Sequence, residues 1–211
     1  LYVSDAIDLT EPFFKKYLDP WPARKVATKQ RWGVEGVVVS ETEPFDGPVV
    51  LPDDVAREFQ DVHLGRKKNE ELSERAYVLC NYDEGLKSAR RGALPFRVVS
   101  HIVSSGSELA MQAWWRYRYT GDKQWLRHSG YQVLRDTVEF YRNFVRKGDD
   151  GRYHLYRINA HEAFCGINDS IIDLAAIRGT APLAIRAAEI LDVDADLRTK
   201  WQELLDNLAP Y

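Results

Sequence analysis

Residues 107–146 read SELAMQAWWRYRYTGDKQWLRHSGYQVLRDTVEFYRNFVR, and this stretch decides the fold class. Within it, residues 107–119 and 130–146 carry apolar side chains at three- and four-residue spacing, which is the period of an amphipathic α-helix. Gly121 closes the first run as a glycine C-cap, and Gly148 helps to stop the second. The stretch therefore predicts two helices joined by a short connection.

The same period recurs through most of the chain. Further helices are predicted over residues 13–18, 22–30, 52–62, 69–79, 169–188 and 196–208. Asn168 or Asp169 caps the fifth of these, and Pro182 inside it predicts a kink because its ring clashes with an earlier carbonyl. Short strands are predicted only at residues 34–40 and 152–156. We therefore expect a mainly α fold of antiparallel helix pairs with short strands in loops, forming a single helical domain over residues 1–211.

The composition excludes several classes of protein. Of 211 residues, 45% are hydrophobic and 29% are charged, which is typical of a folded globular chain and not of a disordered one. Lys and Arg number 29 against 32 Asp and Glu, so we expect no nucleic-acid partner. No apolar run approaches the roughly 18 residues of a membrane span, so no membrane partner is expected. Cys80 and Cys165 are interpreted as free buried thiols, with a disulfide as the alternative.

Aromatic residues are abundant, with six Trp and eleven Tyr. Their side chains combine a broad apolar face with a polar edge, which suits amphipathic ligands such as sugars, although most aromatic residues fill cores. Trp114 and Trp115 are adjacent, and neighbouring residues of a helix point about 100° apart. At most one of the two can lie in the core. Trp115 is the candidate for a ligand cleft, with packing against a neighbouring helix as the alternative.

Residues 159–162, Asn-Ala-His-Glu, form the chemically most informative segment. They place an amide, an imidazole and a carboxylate on a predicted loop, where catalytic groups usually lie. A carboxyl near aromatic rings is partly desolvated, which raises its pKa and keeps it protonated as a general acid near neutral pH. Glu162 fits that role, with Asn159 and His161 as substrate-binding candidates. The alternative is that Glu162 caps the next helix and that His161 only packs in the loop.

A second acidic loop contains Glu41, and Arg31-Trp32 precedes it closely in sequence. Two carboxylates from separate loops that face each other across a cleft are the arrangement that glycosidases need. Glu41, Arg31 and Trp32 are therefore binding candidates. The alternative is that this segment only forms a turn around residues 46–47.

His101 lies at a predicted helix entrance and is either a binding residue or a structural histidine. The sequence gives weak support for a metal, because the histidines and carboxylates between His154 and Asp169 lack a ligand spacing such as HExxH. The glycine-rich nucleotide motifs are also absent from the sequence. We therefore expect no metal and no cofactor.

Several segments, taken in order, resemble one enzyme family. Residues 114–126, with their Thr-Gly-Asp turn, precede Thr-Val-Glu-Phe-Tyr at 137–141, the 159–162 loop and Ala-Ala-Glu-Ile-Leu at 187–191. This order resembles the (α/α)6-barrel glycoside hydrolases related to the inverting α-L-fucosidases (family 95-like). The resemblance covers roughly residues 100–211, and residues 29–41 look like an earlier loop of the same barrel.

The resemblance implies that the chain is part of an (α/α)6 toroid in which Glu162 aligns with the general acid. Ala160-His161 stands where the family has Ser-Pro, which leaves the substrate class open. The resemblance also implies that the catalytic base comes from a later part of the barrel, beyond Tyr211. The chain is therefore expected to be a fragment of a larger catalytic domain.

These observations favour a glycoside hydrolase that acts on oligo- or polysaccharides by inverting acid/base chemistry. One alternative is a non-catalytic carbohydrate-binding or assembly module, in which aromatic residues stack on sugar. A second alternative is a polysaccharide lyase or sugar epimerase on a similar toroid, with a base such as His161. A partial toroid leaves apolar helix faces exposed, so self-association into a homo-oligomer is also expected.

Overall fold

A computed structural model of the chain describes residues 8–39, 47–68, 71–76, 101–160, 164 and 166–211. Three candidate site residues, Glu41, His161 and Glu162, lie outside these ranges, as do both cysteines. Residues 69, 70 and 77–79 of the helix predicted over residues 69–79 also lie outside them. The fold below is that of the described residues.

The described chain is mainly helical, as predicted. Its α-helices are α1 (Glu11–Leu18), α2 (Trp21–Trp32), α3 (Asp53–His63), α4 (Ser105–Thr120), α5 (Tyr131–Phe144), α6 (Ile171–Leu191) and α7 (Ala195–Asp206). A single α-turn, Lys123–Trp125, and a π-helical turn, Leu126–Gly130, connect α4 to α5. Strands β1 (Arg146–Lys147) and β2 (Tyr153–His154) form a small antiparallel ribbon.

The predicted helix ends agree with local chemistry. Gly121 follows α4 with a φ of 67°, the left-handed conformation that a glycine C-cap supplies. The Asp122 side chain caps the next turn by accepting the Trp125 N–H at 2.8 Å. Trp114 is buried whereas Trp115 is 38% exposed, which confirms that only one of the pair packs in the core.

Three local predictions were wrong in detail. Residues 34–39 form no strand, because this segment bonds to helices and not to another extended chain: the Val37 N–H donates to the Asp136 carbonyl. The strand predicted over residues 152–156 is reduced to the two residues of β2. Ser170, not Asn168 or Asp169, occupies the cap position of α6.

Helix α6 continues through Pro182 as one element. Pro182 lies on the exposed side of the helix, away from the core that Ala181 and Ala184 enter. The proline therefore leaves the buried stripe of α6 continuous, as its apolar spacing predicted.

The helices pack in antiparallel order. At one end of the bundle, the Tyr141 hydroxyl near the end of α5 donates to the Val103 carbonyl just before α4. At the other end, the Arg127 guanidinium before α5 donates to the Leu191 carbonyl that closes α6. The start of α4, the end of α5 and the start of α6 therefore meet at one end, which we call the loop end.

Buried polar contacts connect α2 to this bundle. The carboxylate of Asp136 in α5 accepts the Trp21 indole N–H at 2.8 Å and pairs with Lys25 at 2.8 Å. Gly36 then crosses α5 at close range, since a Cβ at this position would lie 2.2 Å from the Phe140 amide nitrogen. Its φ of 115° also favours glycine. This close crossing brings the end of α2 and residues 37–39 to the loop end.

Candidate functional site at the loop end

Aromatic rings form the base of the loop end. Trp32, the last residue of α2, makes edge contacts with His63 and His101, with ring centroids 4.5 and 5.2 Å away. Phe140 of α5 contacts the same indole at 5.8 Å. All four side chains are buried. We call Trp32, His63, His101 and Phe140 the aromatic floor.

Both histidines of the aromatic floor favour the neutral state. Their rings stack with centroids 4.2 Å apart, and the His101 Nε2 lies 2.8 Å from the His63 carbonyl oxygen. Burial lowers the pKa of His101 to about 4, and the positive charge of Arg157 acts in the same direction. Burial, His101 and the Arg31 charge hold the pKa of His63 well below its ordinary value. Near neutral pH these rings are therefore uncharged surfaces that pack.

The loop between β2 and α6, residues 155–169, is closed by hydrogen bonds from side to side. Ile158 and Ile167 exchange backbone hydrogen bonds of 3.0 and 2.9 Å, and the Ala160 N–H donates to the Phe164 carbonyl at 3.1 Å. Residues 161–163 join these last two points in sequence. We call these cross-loop hydrogen bonds the loop ladder. The bonded pairs are Leu155 with Asp169, Arg157 with Asn168, Ile158 with Ile167, Asn159 with Gly166, and Ala160 with Phe164.

Asn159 connects the loop ladder to the aromatic floor. Its backbone N–H donates to the His101 carbonyl at 3.0 Å, and its side-chain oxygen accepts the Gly166 N–H at 3.0 Å. The side chain is fully buried. In this arrangement Asn159 fixes the backbone beneath the loop, which its position in the sequence alone does not show.

The outer end of the loop ladder contains an ionic group. The Asp169 carboxylate accepts the Leu155 N–H at 2.9 Å, and the Asp169 N–H donates to the Leu155 carbonyl at 2.9 Å. The other oxygen of Asp169 lies 2.6 Å from Nδ1 of His154, and Nε2 of His154 lies 3.0 Å from the Asp150 carboxylate. Hydrogen bonds to Asp169 and then Asp150 raise the pKa of His154.

Two arginines lie near the aromatic floor. Arg31 is half-buried and close enough to His63 for its charge to affect that ring. Arg157 has a φ of 58°, which is uncommon outside glycine, and its backbone N–H donates to the Asn168 side chain at 3.1 Å. Its guanidinium occupies the space where a side chain at Gly65 would begin.

Asp173, in the first turn of α6, is a buried carboxyl that sequence reasoning missed. It is 1% exposed, and within the described ranges neither carboxyl oxygen has a partner in hydrogen-bonding geometry. Burial raises its pKa to about 6, although the nearby Ser170 hydroxyl opposes the shift. Its position four residues before Ile177, on the buried stripe of α6, was the available sequence signal. His63 was missed as well, although it follows Val62 at the end of a predicted helix.

The structure brings Arg31, Trp32, His101 and Asn159 together at the loop end, but it does not bring Trp115 there. Trp115 lies ten residues along α4 from Ser105, about 15 Å at the helical rise of 1.5 Å per residue. The sequence could not show this, because helical spacing gives the face on which a residue lies and not which end of the bundle holds the loops.

Two further findings concern ligands and membranes. Within the part of the chain that the structure describes, no three His, Cys, Asp or Glu side chains group as metal ligands. No helix within the described ranges combines the length and apolar character that crossing a membrane requires.

Comparison with known proteins shows to which protein family the chain belongs. Residues 93–211, more than half of the chain, match the glycosyl hydrolase family 95 catalytic domain. The chain belongs to this family. The match covers α4 to α7 and the whole loop ladder, and the mainly helical structure is consistent with an (α/α)-barrel glycoside hydrolase fold.

Two curated relatives are bacterial kojibiose hydrolases. That of Mucilaginibacter mallensis is 28% identical over 127 residues, and that of Flavobacterium johnsoniae is 29% identical over 130 residues. Each match covers 60% of this chain but only 18% of the relative. The chain therefore spans less than a fifth of the length of these two relatives.

Proposed function

We propose that this chain contributes the acid-bearing part of a glycoside hydrolase catalytic domain, in which Glu162 protonates the leaving oxygen. The observation that carries the proposal is the family match over the loop ladder. The ladder fixes the backbone at Ala160 and Phe164, on either side of Glu162 in sequence. A general acid needs such a fixed position, because it must lie within hydrogen-bonding distance of the oxygen that it protonates.

We further propose inverting chemistry, with the catalytic base supplied by a part of the barrel outside these 211 residues. In an inverting glycosidase the two carboxyl groups lie about 6.5–9.5 Å apart, which leaves room for the attacking water. The proposal is supported by the family resemblance, which implies a base from a later part of the barrel, and by the match to only 18% of the relatives' length. By this proposal the 211 residues form one helical part of a larger (α/α)6 catalytic domain.

The substrate proposal combines the site with the names of the relatives. Because two relatives are kojibiose hydrolases, kojibiose is the first substrate to assay, followed by a panel of oligosaccharides. Half-buried Arg31 is proposed to contact the sugar from the end of α2, and the buried residues Trp32, His101 and Asn159 are proposed to support the site from beneath. Glu41 and His161 are kept as substrate-binding candidates from the sequence. Trp115 is not included, because of its distance along α4.

The test is a leaving-group comparison on Glu162→Gln in the complete catalytic domain, which by this proposal also supplies the base. The amide keeps the shape of Glu162 but cannot donate a proton, so hydrolysis of kojibiose should fall by about 10²–10⁴, the usual contribution of general acid catalysis. Hydrolysis of a dinitrophenyl glycoside should fall much less, because that leaving group needs little protonation. The matched control is Glu189→Gln, which removes an exposed carboxylate from α6 that pairs with Arg186.

Each outcome decides between the candidate functions. Equal losses on both substrates, or a loss below tenfold, would remove Glu162 from the acid role. Proton NMR of the first-formed sugar anomer tests inversion, since a retained anomer contradicts it. Binding of sugar without hydrolysis would favour a carbohydrate-binding module, and an unsaturated sugar product would favour a lyase.

A further inference from the structure

The group of Asp150, His154 and Asp169 lies outside the aromatic floor and has no role in the proposed acid chemistry. His154 Nδ1 lies 2.6 Å from Asp169, and its Nε2 lies 3.0 Å from Asp150. The two ring nitrogens contact different carboxylates on opposite sides of the ring, so the three side chains do not converge on one point. This geometry differs from that of a metal site, in which the ligands converge.

The geometry itself specifies the protonation state of this histidine. An ionised carboxylate only accepts hydrogen bonds, so an imidazole bonded to a carboxylate at each nitrogen must donate from both. Only the doubly protonated, positively charged ring can do so. Loss of one proton would place a lone pair against a carboxylate oxygen and break one of the two contacts.

We propose that His154 is a positioning residue for the loop that carries Glu162: its charged ring joins the turn at Asp150 to the closing end of the loop ladder at Asp169. The proposal deepens the proposed function and rests on it for its effect on activity. Its structural basis is that Asp169 bonds both to His154 and, through two hydrogen bonds, to Leu155. His154 therefore holds the outermost rung, and the inner rungs lead from there to Ala160 and Phe164.

The surroundings of His154 favour the charged ring. Among the described residues, Asp169 from the loop and Asp150 from the turn before β2 are the charged groups in contact with it. Arg146 is its register partner across the β ribbon, and the Tyr156 ring lies with its centroid 5.8 Å away. The two carboxylates outweigh Arg146, which agrees with the raised pKa of His154. The two hydrogen bonds of the charged His154 ring are therefore present at and below the pH at which histidine ordinarily titrates. One of them is lost as pH rises through the raised pKa of His154.

The first experiment measures amide hydrogen exchange of the full 211-residue chain across pH, corrected for intrinsic exchange. In the parent, protection of the Leu155, Ile158 and Ile167 amides should fall about tenfold or more as His154 deprotonates, because charge-assisted hydrogen bonds are lost. In His154→Gln and Asp169→Asn, protection should be lower at acidic pH and should not change with pH. Asp150→Asn should give an intermediate result.

Two controls distinguish a positioning role from general destabilisation: a matched variant, and the hydrogen-exchange protection of an amide in the core. His128→Gln changes an exposed histidine in the π-helical turn before α5, far from the loop ladder, and should behave as the parent; its ring lies 2.8 Å from the Gln124 carbonyl oxygen. Protection of the Val138 amide in α5 should stay unchanged in His154→Gln. Equal loss of protection in loop and core, or a pH-independent loop in the parent, would overturn the proposal.

The second experiment measures kcat and KM for glycoside hydrolysis by the complete catalytic domain, because the proposed base lies outside these 211 residues. In His154→Gln, kcat should fall tenfold to about a hundredfold with KM within about twofold, since misplacing a catalytic group by about 1 Å costs up to about 10² in rate. The alkaline limb of the kcat profile should also shift. If the parent hydrolyses no glycoside, the proposed function fails. The structural role of His154 is then tested by hydrogen exchange alone. If the parent is active and His154→Gln matches it in kcat and pH profile, the positioning role fails and the function stands.

Discussion

The helical bundle and the loop end are stabilised by different physics. In the bundle, buried side chains such as Leu109, Val133 and Trp201 form a continuous apolar core between α4, α5, α6 and α7. The loop end buries polar side chains to the same extent, among them Asn159, Asp173, His63 and His101. Hydrogen bonds connect much of this region. Apolar packing is non-directional and tolerates no charge, whereas the loop end depends on specific polar contacts and on protonation. The two regions should therefore respond differently to truncation and to pH.

The largest expected effect tests the bundle with the two adjacent tryptophans. Trp114→Ala should lower the free energy of unfolding by about 3–5 kcal/mol, because it removes a buried aromatic side chain and leaves a cavity. Trp115→Ala is the matched control and should cost much less, since that side chain is 38% exposed. Urea denaturation measures both. Similar losses from the two replacements would mean that Trp115 also belongs to the packed core.

The loop end should lose stability in acid through His101. Its pKa of about 4 in the folded chain lies below the ordinary 6.5, so the unfolded chain binds the proton more readily between these values. The stability it contributes is present above pH 6.5 and lost as pH falls toward 4, by about 3 kcal/mol in total. His101→Gln should remove the His101 part of this slope and leave the part due to His63, whose pKa is also lowered by burial. His128→Gln, at an exposed position, should retain the whole slope.

Asp173 should act in the opposite direction. Its pKa of about 6 in the folded chain lies above the ordinary 3.8, so the folded chain binds the proton more readily between these values. Its contribution is present below about pH 4 and lost as pH rises through 6, by about 3 kcal/mol. Relative to Asp173→Asn, the parent should therefore weaken between pH 4 and pH 7. A difference between the parent and Asp173→Asn that does not change with pH would show that Asp173 is hydrated.

A smaller effect is expected at residues 36–39, which connect the helical bundle to the loop end. Gly36→Ala adds a Cβ against the Phe140 backbone and should cost about 1–3 kcal/mol, a typical value for overpacking. The added carbon should displace residues 37–39 at the loop end while α5 keeps its helix. Circular dichroism together with hydrogen exchange of the Val37 amide checks this. Gly151→Ala tests left-handed backbone without crowding, because its φ is 79° and no atom lies within 4 Å of the added carbon.

The smallest effect on the core is expected from the surface residues that favour self-association of the chain. Ile171 and Ile172 at the start of α6 are 66% and 44% exposed, and apolar side chains of this kind favour association when they lie together. Light scattering should give a mass above 24.3 kDa for the purified chain. Replacing both isoleucines by Ser should return it to the monomer mass. A monomeric parent at all concentrations would contradict the expectation.

Helical periodicity predicted the bundle well because each helix buries one stripe of its own sequence. The C-cap at Gly121, the side-chain cap at Asp122 and the burial of only one of Trp114 and Trp115 all follow from contacts within a few residues. Residues 34–39 could not be predicted in this way, since their β-branched pattern is also satisfied by crossing a helix. The family resemblance, drawn from the order of several segments, was confirmed by the match over residues 93–211.

The sequence by itself determined the helices, their buried faces and the family, because these depend on local spacing and residue type. Only the tertiary structure decided which polar groups meet at the loop end. His63 and His101 stack although 38 positions separate them, and Asn159 bonds to the His101 backbone across a still longer gap in sequence. Such pairs have no sequence period, because their partners are set by how helices α2, α3, α4 and α6 are brought together. Burial, which depends on the whole assembly, then shifts their protonation.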